Sequence, residues 1–189
     1  MATSVDSSEG MYIVPAFSGL YAPYWRSDAR GVMVGLTRMI NKNHICRAVL
    51  EATAYQTYDV FDAMRKDSGL AIQSLRVDGG MTANAFLMQF QANILNTDIV
   101  IPSVAETTAL GACFAAGLAV GYWTSLEDIK EKWMIGKMWV LRECVRRRYH
   151  GVMDQEGIDR RIAGWRKAIQ KSLNWVDELR VCSKSRRKN

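Results

Sequence analysis

Apolar residues in this chain alternate between short runs, helical spacing and polar gaps, and those changes of period divide it into strands and helices. Met11–Phe17 (MYIVPAF) predicts a short strand or extended segment with Pro15 near its end, followed by SGLYAPYW, a loop rich in turn formers and aromatics. Gly31–Leu36 (GVMVGL) is strand-like in its β-branched and apolar content. Asn43 is placed to cap a long helix from about His44 to Asp67. Leu50, Ala54, Phe61 and Met64 fall on one face of it, and Ile45, Val49 and Ala52 widen the apolar surface to more than one side. Ser68-Gly69 stops that helix. Leu75–Val77 is a strand leading into Asp78-Gly79-Gly80. Phe86, Leu87, Phe90 and Ile94 then give the next helix an apolar stripe. Asp98–Ile101 makes a short strand closed by Pro102, and Thr107 or Thr108 starts a helix, TALGACFAAGLAVG. The small residues of that helix suit close packing against a neighbour. Ser125 caps a short helix to Trp133, the pattern weakens from Gly136 to Gly157, and Ile158, Ile162, Trp165, Ile169 and Leu173 space a last helix over roughly Ile158–Trp175.

Strands and helices in alternation predict an α/β fold with partly parallel pairing, a mixed sheet flanked by helices. With 189 residues, 49% of them apolar, the chain is long enough for one domain with a real core, expected over 11–175. Residues 1–10 (MATSVDSSEG) read as a linker or disordered start, unlike a secretory or transit peptide. Residues 176–189 read as a basic disordered tail. Charge is uneven. Residues 1–141 carry 11 Lys/Arg against 13 Asp/Glu, net −2, and residues 142–189 carry 14 against 6, net +8. A basic tail attracts nucleic acid or an anionic membrane, or is simply a solvated helix face with a frayed end. It lacks the interleaved aromatics that would favour a nucleic-acid partner. Cys46, Cys113, Cys144 and Cys182 are widely spaced beside only two histidines, which fits neither a zinc pattern nor a disulfide framework. The expectation is a reducing, cytoplasmic setting. The longest apolar stretch, Ala109–Trp123, is too short to span a membrane and contains three glycines.

The stretch with most chemical content is LRVDGGMTANAF, Leu75–Phe86. Two glycines between a strand and a helix let backbone lie against a ligand, and the helix start offers unpaired N–H groups. The end of a strand in an open α/β sheet is where ligands bind. Asn84 sits four residues past Gly80, within reach of the same space as donor and acceptor. Asp78 can accept from a hydroxyl, hold a water on a metal, or cap the turn locally. The motif alone fits either a ligand seat or a plain left-handed turn, since it is neither a Walker A loop nor a G-x-G-x-x-G fingerprint.

Three blocks together resemble the C-terminal domain of the FGGY carbohydrate kinase family. VPAFSGLYAPYW with ARGVMVGLTR is similar to its glycerol-specific members. GVMVGLTRMINKNHICRAVLE resembles the family's second signature, Gly35-Leu36 followed after seven residues by His44-Ile45 and then Ala48 through Glu51. LRVDGGMTANAFLMQFQANIL with ETTALGACFAAGLAVGYW resembles its adenosine-binding segment and the helix after it, and GWRKAIQKSLNW its terminal helix. KMWVLRECVRRRYHGV departs from the family's usual approach to that last helix.

The resemblance implies part of an actin-like ATPase (ribonuclease H-like) domain using ATP/ADP with Mg2+, and glycerol as phosphoryl acceptor in the complete enzyme. It implies that Gly80 meets the nucleotide through its backbone, that Gly79 completes the turn and that Asn84 bonds the adenine end, with Asp78 carried over beside them. No catalytic or metal-ligating residue is assigned, because the family's general base, glycerol site and phosphate loops have no counterpart in this sequence. The chain alone is therefore expected to be inactive, and to leave a sheet edge unpaired. A second reading is a non-catalytic nucleotide-binding or regulatory module, self-associating or pairing with an intact kinase. Among other features, FSGLYAPYW either lines a cleft near glycerol or packs as a surface loop, and Arg30 either faces a phosphate or forms a surface ion pair. Glu106 complements a helix N-terminus, and His44 is structural.

Overall fold

The computed structural model describes residues 1–102, 107–131 and 145–176 of the chain. Two small sheets share one core. In the first, β1 (Tyr12–Val14) pairs antiparallel with β2 (Val32–Val34), Ile13 opposite Met33. In the second, the strand order is β3-β4-β5. β3 (Ser74–Arg76) runs parallel to β4 (Asp98–Pro102), which pairs on its other side antiparallel with β5 (Val145–Tyr149). The expected mixed sheet is thus present. β5 falls in the stretch where the sequence pattern weakens, because its residues VRRRY do not alternate apolar with polar. β3 stands at an end of its sheet, three residues long, with an exposed-intermediate-exposed pattern.

Helix α1 spans Lys42–Ser68, a residue or two longer at each end than the periodicity predicts. Its cap is Asn41 rather than Asn43. The Asn41 side chain accepts from the Asn43 N–H at 2.9 Å, and His44 Nδ1 accepts from the Asn41 N–H at 3.2 Å. The histidine is therefore structural, as expected, and closes a reciprocal cap that satisfies otherwise orphaned donors. Gly69, at φ 64°, ends the helix and donates to the Arg65 carbonyl. The remaining helices are α2 (Ala85–Leu95), α3 (Thr107–Ala119), a short α4 at residues 126–131 and α5 (Gln155–Ser172). Ser125 caps α4, its Oγ accepting from the Asp128 N–H at 3.1 Å.

An aromatic cluster joins α1, α2, α5 and β1. Tyr55 stacks on Trp165 with centroids 5.3 Å apart, meets Phe90 edge-on at 5.5 Å and lies 5.6 Å from Tyr12. Trp165 is fully enclosed, with Leu87, Ile94, Ile99 and Ile169 buried beside it. Each such side chain contributes roughly 1.5–3 kcal/mol on leaving water.

Residues 1–10 differ from the linker or disordered start expected of them. Ala2–Ser4 form a 3-10 turn, Ser8 is buried and its hydroxyl donates to Glu51 Oε2 at 2.7 Å. Glu51, also buried, accepts from Arg47 Nε at 3.0 Å, and Arg47 donates on to the Val5 carbonyl. A buried carboxylate needs these partners, and the polar N-terminal segment supplies one of them. The basic tail lies almost wholly outside the described residues, as do Glu106, Cys144 and Cys182.

Candidate functional site

The parallel pair β3/β4 gives the second sheet a carboxyl edge, and the chain leaves both strands there. Val77 prolongs the pairing by donating to the Val100 carbonyl at 3.0 Å. Asp78, Gly79 and Gly80 then turn the chain into a short 3-10 segment, Gly80–Ala83, which hands over to α2. Gly79 sits at φ 91° and ψ 170°, a region open essentially to glycine alone. Thr82 secures the turn from inside, its hydroxyl donating to the Gly79 carbonyl at 2.7 Å.

Gly80 differs. It has no left-handed φ, and a Cβ built on it would meet nothing within 4 Å. Neither backbone strain nor packing within the described chain requires glycine at that position. What a side chain would fill is open space over the exposed turn, so the bare backbone is available to something from outside.

Asn84 serves α2 first. Its Oδ1 accepts from the Leu87 N–H at 3.0 Å, as an N-cap does. That engages the acceptor half of the amide and leaves its NH2 without a hydrogen-bond partner among the described residues. Asp78 accepts a hydrogen bond from the hydroxyl of Thr107, the first residue of α3. The four residues singled out from the sequence are therefore together on one strand-turn-helix unit. Thr107 joins them from 29 positions along the chain, and only its place after the neighbouring parallel strand could have signalled it.

A concavity of about 420 Å³ lies under the FSGLYAPYW loop. Phe17 and Tyr21 stand exposed at its rim, while Tyr24, Asp59 and Trp165 lie deeper. Asp59 is buried and accepts from Trp165 Nε1 at 2.7 Å. Burial raises its pKa, and the hydrogen bonds from Trp165 and Tyr24 only partly oppose this. The Tyr24 hydroxyl is pushed well above its usual value, by burial first and then by the Asp59 carboxylate. Periodicity alone does not reveal this pair, because Asp59 interrupts the apolar face of α1. Among the described residues Arg30 bonds backbone carbonyls rather than a carboxylate. It donates to the Ser27 and Ala29 carbonyls at 2.9 and 2.7 Å.

Among the described residues no group of three or more His, Cys, Asp or Glu side chains stands together, and no helix is long and apolar enough to cross a membrane. Residues 1–120 match the model of the FGGY family of carbohydrate kinases, C-terminal domain. The chain is 54% identical over 176 residues to the glycerol kinase of Roseiflexus sp. (strain RS-1), covering 93% of this chain and 33% of that one. It is 53% identical over 178 residues to the glycerol kinase of Renibacterium salmoninarum, covering 94% and 33%. Among solved structures, Plasmodium falciparum glycerol kinase with ADP superposes with a TM-score of 0.72 at 38% identity, over 91% of this chain and 32% of that one. Ligand-bound xylulose kinase from Lactobacillus acidophilus superposes with a TM-score of 0.65 at 26% identity, over 90% and 34%. The chain spans about a third of the length of the curated relatives it matches. The mixed sheet with flanking helices is the architecture it shares with these kinases.

Proposed function

The chain belongs to the FGGY family of carbohydrate kinases, and from that premise we propose that it forms the adenosine-binding part of a glycerol kinase. The reaction served is transfer of the ATP γ-phosphate to a terminal hydroxyl of glycerol, giving glycerol 3-phosphate. Gly80 carries this reading. It is a glycine that neither φ nor packing demands, set at the carboxyl edge of a parallel strand pair beside a helix start. The relative solved with ADP and the relatives that are glycerol kinases support it.

In this reading the bare main chain at Gly79-Gly80 lies against the nucleoside, and the free NH2 of Asn84 donates to it. Phosphoryl transfer rests on positioning and charge neutralisation, and the residues here provide the positioning half. Mg2+ is usually held by one or two carboxylates together with substrate phosphates. Among the described residues no group of three or more His, Cys, Asp or Glu side chains stands together, and no step is assigned to the metal. Transfer itself calls on the parts carried by the other two thirds of the relatives' length, so the chain by itself binds nucleotide without turning it over. Association with a second copy or with an intact kinase, and a cytoplasmic location, belong to the same proposal.

Titrating ADP calorimetrically into the purified chain tests it. Saturable uptake is expected, weakened at least about tenfold in Gly80→Val with the circular dichroism spectrum unchanged. Equal affinity in the two proteins would place the nucleotide elsewhere.

A further inference from the structure

The contact between Asp78 and Thr107 crosses from one strand end to the next. β3 and β4 are parallel neighbours, so their carboxyl ends lie side by side. Asp78 begins the loop after β3, and Thr107 opens the helix that follows β4. The Thr107 hydroxyl donates to Asp78 Oδ2. We infer that this pair is a clasp that positions the Gly79-Gly80 turn for its ligand. Asp78 and Thr107 are accordingly positioning residues, and the nucleotide itself touches the glycines and Asn84.

The physical case starts from what else could hold the turn. On its helix side the turn is fixed twice, by Thr82 donating to the Gly79 carbonyl and by Asn84 capping α2. On its strand side the last ladder bond is Val77 to Val100, and beyond Asp78 come two glycines. Glycines lose more conformational freedom on ordering than any other residue, so an untethered pair here would sample many turn geometries. Each unproductive geometry lowers ligand affinity by reducing the competent fraction. The bond grips the residue directly before Gly79. The donor comes from a different strand-helix connection. The clasp therefore couples the placement of α3 to the shape of the turn.

This inference rests on the nucleotide reading above, and its test separates the two. Thr107→Val removes the hydroxyl with little change in shape, while Thr107→Ser keeps it. Two measurements are made on the full chain, amide hydrogen exchange at Thr82, whose N–H donates to the Gly79 carbonyl at 3.1 Å, without ligand, and ADP affinity by calorimetry. In Thr107→Val, exchange at Thr82 should rise and ADP affinity should fall, both by about tenfold, while Thr107→Ser stays near the parent on both. Exchange unchanged in Thr107→Val would overturn the clasp whatever ADP does. Faster exchange in a chain that never binds ADP would uphold the clasp and sink the nucleotide reading. Faster exchange with ADP affinity untouched would show that the clasp does not position the seat, and the inference fails.

Discussion

Two helices leave the parallel strands of the second sheet, and the protein treats them oppositely. α2 follows β3 and buries Leu87, Met88, Phe90, Gln91, Ala92, Ile94 and Leu95. α3 follows β4 and buries none of its residues, although Thr107–Ala119 is the more uniformly apolar of the two. Composition alone would reverse that ranking, since a helix apolar on all sides is normally an interior one. Connectivity decides instead. α2 is the crossover between β3 and β4, and a parallel pair forces its connecting helix to lie back across the sheet. No described strand parallel to β4 follows α3, because β5 pairs antiparallel. The close packing that the small residues of α3 suggest is met at Gly117, where a Cβ would lie 2.4 Å from the Trp123 ring. Its neighbour there is Trp123, whose ring lies edge-on to Phe114 at 6.2 Å.

The sharpest way to break the comparison is to truncate one phenylalanine in each helix. Phe90 is buried between Tyr55 and Phe86, so Phe90→Ala leaves a cavity and should cost about 3–5 kcal/mol in urea unfolding. Phe114 is half-buried, and Phe114→Ala should cost under about 1 kcal/mol. Similar losses from the two would mean that α3 is packed within the chain after all.

A smaller effect sharpens the packed side, where α1 meets α5. Asp59 has its pKa raised above 3.8 by burial. Between that unfolded-state value and the raised folded value the native chain holds more protons than the unfolded one. Stability must therefore fall as pH rises through the window. An amide in place of this carboxyl cannot ionise, yet its oxygen still accepts from Trp165 Nε1. Asp59→Asn should flatten that part of the stability-pH profile, read from melting temperatures at stepped pH. An unaltered slope would mean that Asp59 ionises in the folded chain as it does unfolded.

This contrast also marks what the sequence discloses. Leu87, Phe90 and Ile94 at helical spacing foretell a buried α2 because local period and tertiary role agree there. The turn after Asp78 is foretold for the same kind of reason, since the positive φ of Gly79 is a local demand. Asn84 is legible as a polar group at that site, but its role as the α2 cap depends on where the helix starts, a boundary that periodicity blurs by a residue or two. The anchoring of residues 1–10 depends on Ser8 meeting Glu51, 43 positions away, and no local pattern encodes such a meeting. Thr107 is the instructive case. It reads as a helix start, and only the parallel register of β3 and β4 brings its hydroxyl to Asp78.

The smallest expected change bears on the comparison most directly. Ala115 is exposed near the middle of α3, and glutamate is nearly as good a helix former as alanine. Ala115→Glu should therefore leave the unfolding free energy within about 0.5 kcal/mol of the parent. A carboxylate forced against apolar neighbours would be far more destabilising, because it must either ionise out of water or take up a proton. Light scattering at rising concentration supplies a second reading, since a charge on an exposed apolar helix should oppose any association through it. A stability loss of several kcal/mol would show that Ala115 faces the chain's own interior, and the distinction between α2 and α3 would dissolve. No loss, with less association, would leave α3 as an apolar surface that the described residues do not cover.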